Sequence, residues 1–176
     1  KYIQSRDKTK IDFIQDKALE LSLFLSLPAT IALLIASEEI TSSLFGYGSF
    51  GEISVKNSAS ALFYFALGLP AFSFIKIFST FLFARHNTKI PFYLSVISVI
   101  INIVISIYYF NKIGFIIIPI ATTISSWSNV ILLLIYLTNK KYYYINFNFI
   151  KSLFKISFST VITSYIFYHL INYFSD

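Results

Sequence analysis

Lys76 is the first residue to account for, because it interrupts an apolar run, "ALGLPAFSFIKIFSTFLFARHNTKIP", with no other charge before Arg85. An ammonium group can receive a phosphate or a carboxylate, provided water or an anion reaches it. If Arg85 marks a membrane surface, Lys76 lies nine residues deeper. That is about 13–14 Å along a straight helix, near the centre of a ~30 Å hydrocarbon core. A lysine side chain spans only about 6 Å, and a charge at the centre costs ~2.5–3.5 kcal/mol on insertion scales. Two readings follow. The side chain runs along the helix to the headgroups, helped by tilt or a kink at Pro70, or it faces a wet cavity, as intramembrane charges generally do.

A second group is uncharged. Asn102 and Ser106 are four residues apart and share a helix face. Thr122, Ser125, Ser126 and Asn129 follow at spacings of three, one and three, again on one face. Pro119 lacks an N–H, which in a continuous helix leaves the carbonyl of Phe115 without its usual partner. This pattern supports interhelical hydrogen bonds worth about 1 kcal/mol or less each. The sharper alternative is a small-cation site built from Asn and Thr oxygens and a freed carbonyl.

Other chemistry is poorly supplied. There is no cysteine, so thiolate catalysis, disulfides and cysteine-ligated metals are excluded. His86 and His169 have no second ligand at metal spacing, and adjacent Glu38 and Glu39 fall on different helix faces. The "GYG" at Gly46–Gly48 lacks the Thr-Val of a potassium filter, and no nucleotide-binding fingerprint is present. No catalytic set emerges, so the expectation is a protein that is not an enzyme and carries no cofactor.

These residues must be held by membrane helices. The chain is 56% hydrophobic and 12% charged, with a mean hydropathy of +0.72, far from a soluble domain's quarter charged. The net charge of +6 points to nucleic acid only if the basic residues cluster. They sit instead at the ends of apolar runs, as membrane orientation requires. Apolar stretches far longer than the ~10 residues of a barrel strand exclude a β-barrel reading. The chain has no methionine and starts on a lysine, so it reads as a piece of a longer protein.

The expected layout is an all-α polytopic membrane protein with about five spans. Residues 1–18 form a polar segment with a short interfacial helix, and 19–37 a first span interrupted by Pro28. Residues 38–58 make an outer re-entrant or short-helix loop, and 59–83 a second span. A turn at 84–90, a span at 91–110, a turn at 111–114 and a span at 115–137 come next. A loop at 138–148 leads to the last span, 149–174. With the N-terminus cytoplasmic, Arg85, Lys89, Lys140, Lys141, Lys151 and Lys155 all fall inside, and only Lys56 and Lys112 outside. Tyr142–Tyr144 then belong to an inner aromatic belt.

Several short motifs in this order resemble the MurJ/MviN family of lipid II flippases. "LPATIALLIASEEITSSLFGYGSF" carries the family's Leu-Pro-Ala and Leu-Phe-x-x-Gly-x-Phe pattern at Leu44, Phe45, Gly48 and Phe50. "GLPAFSFIKIFSTFLFARHNTKIP" is similar to its next block, and Asn102 with "ATTISSWSN" continues it, so that the likeness covers about residues 20–137. Leu82-Phe83 and His86-Asn87 depart from the family's usual Phe-Tyr and Gly-Asp.

The resemblance implies most of the C-terminal lobe of a two-lobed transporter of the bacterial inner membrane, the N-terminal lobe being absent. Its implied partner is lipid II, an undecaprenyl-diphosphate-linked peptidoglycan precursor, moved by alternating access for cell-wall synthesis. Lys76 becomes a candidate for the anion-receiving cavity and Arg85 for its cytoplasmic mouth. Tyr165, Phe167 and Tyr168 become candidates for a lipid-tail groove, beside the alternative of ordinary lipid-facing aromatics. A family Na+ site, for a coupling ion, maps by position to Asn102, Ser106, the Ile118 carbonyl and Thr122; Ser106 stands where an acid is expected. Competing readings are an exporter of another lipid-linked oligosaccharide or small cation, a non-transporting assembly subunit, and a membrane-embedded glycosyl- or acyltransferase.

Overall fold

Inside hydrocarbon every backbone N–H and C=O must find a partner within the protein, which makes long helices the natural form of so apolar a chain. The computed structural model describes residues 8–48 and 50–175. It contains α1 (Lys8–Ile35), α2 (Ser37–Phe45), α3 (Glu52–Ala66), α4 (Leu69–Phe83), α5 (Lys89–Ile113), α6 (Ile117–Asn139) and α7 (Phe147–Ser175). No strand occurs among the described residues. The first seven residues of the expected polar segment, and Asp176, lie outside them.

α1, α4 and α6 form the centre. α7 packs on the outer side of α1, α5 on α6, and α2 folds back on α3. Leu19 and Leu23 of α1, Phe78, Phe81 and Leu82 of α4, and Leu133 and Leu137 of α6 are the buried contacts. Between membrane helices such contacts hold by close packing and not by exclusion of water. α5 and α6 have 25 and 23 residues, about 35 Å each at the helical rise. They fold back on each other through a 3-10 turn at Gly114–Ile116, where Gly114 takes φ +75°, a conformation that disfavours any side chain. By length and composition, Thr9–Ile35 and the run Lys89–Asn139 suffice to cross a membrane, and bent α3–α4 adds a third crossing if taken as one broken span.

Two expectations change and a third is narrowed. The interfacial helix and first span are one helix, α1, which continues through Pro28. A single proline removes one backbone bond, a loss membrane helices tolerate when neighbours re-satisfy the carbonyl. Of the two forms expected for the outer segment 38–58, the structure has the short-helix one, with α2 and the first half of α3 helical.

The expected single helix at 59–83 is two, α3 and α4, bent by 41°. The cause is local. Pro70 cannot donate to the preceding turn, and a Cβ on Gly68 would lie 2.9 Å from the Phe72 ring and 3.1 Å from the Phe65 carbonyl. α6 covers the break, with Thr123 donating to the Tyr64 carbonyl (2.7 Å) and the Trp127 indole to the Leu67 carbonyl (3.1 Å).

The family departure at His86-Asn87 also acquires a physical meaning. α4 ends with the Asn87 N–H bonded to the Leu82 carbonyl and the His86 N–H to the Phe83 carbonyl. That is the Schellman pattern, in which the left-handed residue is usually glycine. His86 occupies it at φ 58°. Asn87 then accepts the Ile90 N–H (3.3 Å) and so opens α5. His86→Gly is expected to stabilise the full-length protein by about 0.5–1 kcal/mol, the strain relieved exceeding the added unfolded-state entropy. Thermal unfolding in detergent reads this directly, and a lowered midpoint would contradict it.

Candidate functional site

Lys76 sits at the middle of α4, seven residues from each end. Its side chain is exposed on the face that also shows Phe72, Thr80 and Phe83, while Ala71, Phe78 and Leu82 point into the bundle. Its ammonium has no hydrogen-bond or ion-pair partner among the described residues. Ser73 and Thr80 flank it one turn away on either side. This is a polar stripe at mid-helix on a face that no described element covers, which is what a wall of a wet cavity presents.

Arg85, the expected mouth residue, makes contacts within the chain. Its guanidinium donates to the Phe81 carbonyl (2.7 Å) and to the Tyr142 carbonyl (3.1 Å), and it lies 4.7 Å from the centre of the Tyr142 ring. Burial lowers its pKa from the ordinary arginine value, partly countered by Tyr142 and Asp12, and the group remains charged. Arg85 is thus a clamp holding the α6–α7 loop against the end of α4. Two of its five donors and its flat face are engaged, which leaves it poorly placed to receive a substrate anion.

The tyrosine cluster divides in the same way. Tyr143 is not a belt residue: it is buried, packs against Phe78 and Phe81, and donates to Asp16 of α1 at 3.2 Å. Burial, with Asp16 alongside, pushes its hydroxyl well above the usual tyrosine value, so it stays protonated and remains a donor. Folding of the loop back under the bundle explains the change, and Tyr144 alone stays exposed.

Asn102 and Thr122 do meet. The Asn102 amide donates to Thr122 Oγ1 (3.0 Å) and Ser125 Oγ (3.4 Å), and Thr122 Oγ1 donates to the Ile118 carbonyl (2.8 Å). Ser106 Oγ is buried without a partner. Pro119 lies in the first turn of α6, where its missing N–H opens no gap in the helix. The freed-carbonyl argument at Phe115 therefore fails. The four mapped groups are neutral oxygens, chemistry that fits a hard monovalent cation, but Asn102 must turn its amide to present an oxygen. The cluster continues away from Ser106 into a cavity of about 300 Å³ lined by Ser95, Ser98, Asn102, Ser126 and Asn129, with Ile75, the residue before Lys76, at its side.

The three groove candidates do not form one surface. Phe167 lines a small cavity of about 160 Å³ with Pro28 and Ala32 of α1. Tyr165 and Tyr168 are exposed around His169, with ring centres 4.5 and 5.9 Å from it. Residues two and three apart on a helix cannot all face one way. Sequence reading missed Asp16, Glu20 and Ser152, which join α1 to the α7 side of the bundle, the Ser152 hydroxyl donating to Glu20 at 2.7 Å. Only the unusual acids at the start of an apolar run hinted at them.

Comparisons with known proteins agree with one another. The family model described as Lipid II flippase MurJ matches residues 1–176. A probable lipid II flippase MurJ of Rickettsia prowazekii (strain Madrid E) is 36% identical over 140 residues, 80% of this chain and 28% of its own length. The Rhizobium meliloti (strain 1021) protein of the same description is 38% identical over 120 residues, 68% of this chain and 22% of its own. A solved structure, "Lipid II flippase MurJ, inward closed conformation", superposes with a TM-score of 0.81 at 27% identity. It is matched over 94% of this chain and 34% of its own. The chain thus spans roughly a quarter to a third of the length of these relatives.

Proposed function

The chain belongs to the lipid II flippase MurJ family, and from that membership we propose that it forms one lobe's share of a lipid II flippase. The full-length protein would carry the undecaprenyl-diphosphate-linked precursor across the inner membrane by alternating access, with the loops bearing Arg85 and Lys140 on the cytoplasmic side. It performs no bond chemistry; it moves a lipid whose diphosphate must leave water at one face and regain it at the other. The single observation that carries this reading is Lys76, an unpartnered cation at mid-helix on a face no described element covers. Such a charge needs a wet, anion-receiving cavity, whose other wall lies outside this chain. The test is expression of the full-length protein in a bacterium depleted of its own flippase. Restored growth with lipid II exposed at the outer face is expected; an inserted protein that leaves lipid II inside would sink the proposal.

Coupling to sodium belongs to the same proposal. Asn102, Ser106, the Ile118 carbonyl and Thr122 would hold the ion once the Asn102 amide turns, which would tie occupancy to the packing of α5 on α6. Sodium should then raise the thermal midpoint of the purified full-length protein, and Asn102→Ala should remove that increment. An undiminished sodium effect in Asn102→Ala and Thr122→Ala would rule out the site.

A further inference from the structure

At the basic end of the bundle, the start of α1 and the start of α7 enclose a cavity of about 520 Å³, within the size range of small-molecule sites. Its two walls differ in charge, apart from Lys17 on the α1 wall, which is paired there with Glu20. Asp12, Asp16 and Glu20 line it at spacings of four on α1, and Lys151 and Lys155, also four apart, line it from α7. Yet the two sets do not pair across the space. Glu20 is taken by Lys17 (2.5 Å) and Ser152, and Asp16, only 9% exposed, is held by Tyr143. Asp12 has no hydrogen-bond partner among the described residues, and Lys151 and Lys155 make no ion pair with any of the three acids. Unpaired opposite charges facing each other across open volume suit a ligand that carries both signs.

The position narrows the ligand further. The cavity lies where α1 passes from Asp12 and Asp16 to the apolar run beginning at Leu19, which is the depth of lipid headgroups. Below it, the same pair of helices leaves the small apolar cavity at Pro28, Ala32 and Phe167, room for part of an acyl chain. A purely anionic headgroup would meet three carboxylates and a purely cationic one two lysines. We propose that the α1–α7 mouth binds a membrane phospholipid whose headgroup carries a phosphate and a primary ammonium, the phosphate against Lys151 and Lys155 and the ammonium against Asp12. The site needs only the membrane placement of these helices and is independent of what the protein transports.

Native mass spectrometry tests this on full-length protein taken from nanodiscs of equal parts phosphatidylethanolamine and phosphatidylglycerol. The ethanolamine lipid should remain bound preferentially. Its retention should fall at least about fivefold in Lys151→Gln/Lys155→Gln, since charge-assisted hydrogen bonds are lost. Lys155→Arg should keep it, which separates charge from folding, and Asp12→Asn should erode the preference over glycerol headgroups. Equal retention by the wild type and the lysine double variant would overturn the proposal. So would a wild-type preference for phosphatidylglycerol, or retention of added soluble phosphoethanolamine in place of lipid.

Discussion

Lys76→Ala in the full-length protein is expected to abolish rescue of a flippase-depleted bacterium while the protein still inserts and folds. The argument rests on opposite signs for stability and transport. Lys76 is exposed and has no hydrogen-bond or ion-pair partner among the described residues, so its removal breaks no such bond. It also removes a charge whose insertion costs ~2.5–3.5 kcal/mol, so insertion and thermal stability should be unchanged or improved. Transport should move the other way. Losing a charge-assisted hydrogen bond to a phosphate is worth about 1.5–3 kcal/mol, or roughly ten- to a hundredfold in rate if it acts at the barrier. Lys76→Arg keeps the charge and should retain part of the activity. Full rescue by the alanine variant would remove Lys76 from the mechanism, whatever the family.

The second large effect is on stability. Arg85→Ala should lower the unfolding free energy by about 2–3 kcal/mol, because it strips donors from two carbonyls and the stacking partner from Tyr142. Lys is a poor substitute there: a point charge cannot bond both carbonyls while lying flat on a ring. Arg85→Lys should recover less than half of the loss in a thermal melt of the purified protein. The outcome separates two roles for one residue. A wild-type melting midpoint combined with lost transport would restore Arg85 to the substrate mouth, and a lowered midpoint keeps it as the clamp.

Both cases show where sequence reasoning held and where it stopped. The place of Lys76 at the middle of a helix that ends just before Arg85 followed from the apolar run around it, because helical rise is the same in every helix. The family followed from short motifs in order, and the comparisons agree. That Asn102 and Thr122 come together was implied by the family resemblance, and the short turn between their helices allows it. For Arg85 the sequence left two roles open, since a cation at a helix end is equally consistent with binding an anion and with capping a neighbouring loop. Which it does depends on where Tyr142 comes to rest, 57 residues along the chain.

Composition and the run lengths of apolar residues determined by themselves that this is a helical membrane protein, because hydrocarbon leaves the backbone no other way to satisfy itself within one segment. They also determined that it has no cysteine chemistry, that its basic residues gather at helix ends, and that one lysine interrupts an apolar run nine residues from the next charge. Tertiary structure alone decided which polar groups meet. It buried Tyr143 against Asp16, committed Arg85 to Tyr142, and left Asp12 facing Lys151 and Lys155 across an open cavity. Hydropathy belongs to each residue separately and can be read along a line. A hydrogen bond belongs to two residues at once, and only the packing of helices brings the second one into reach.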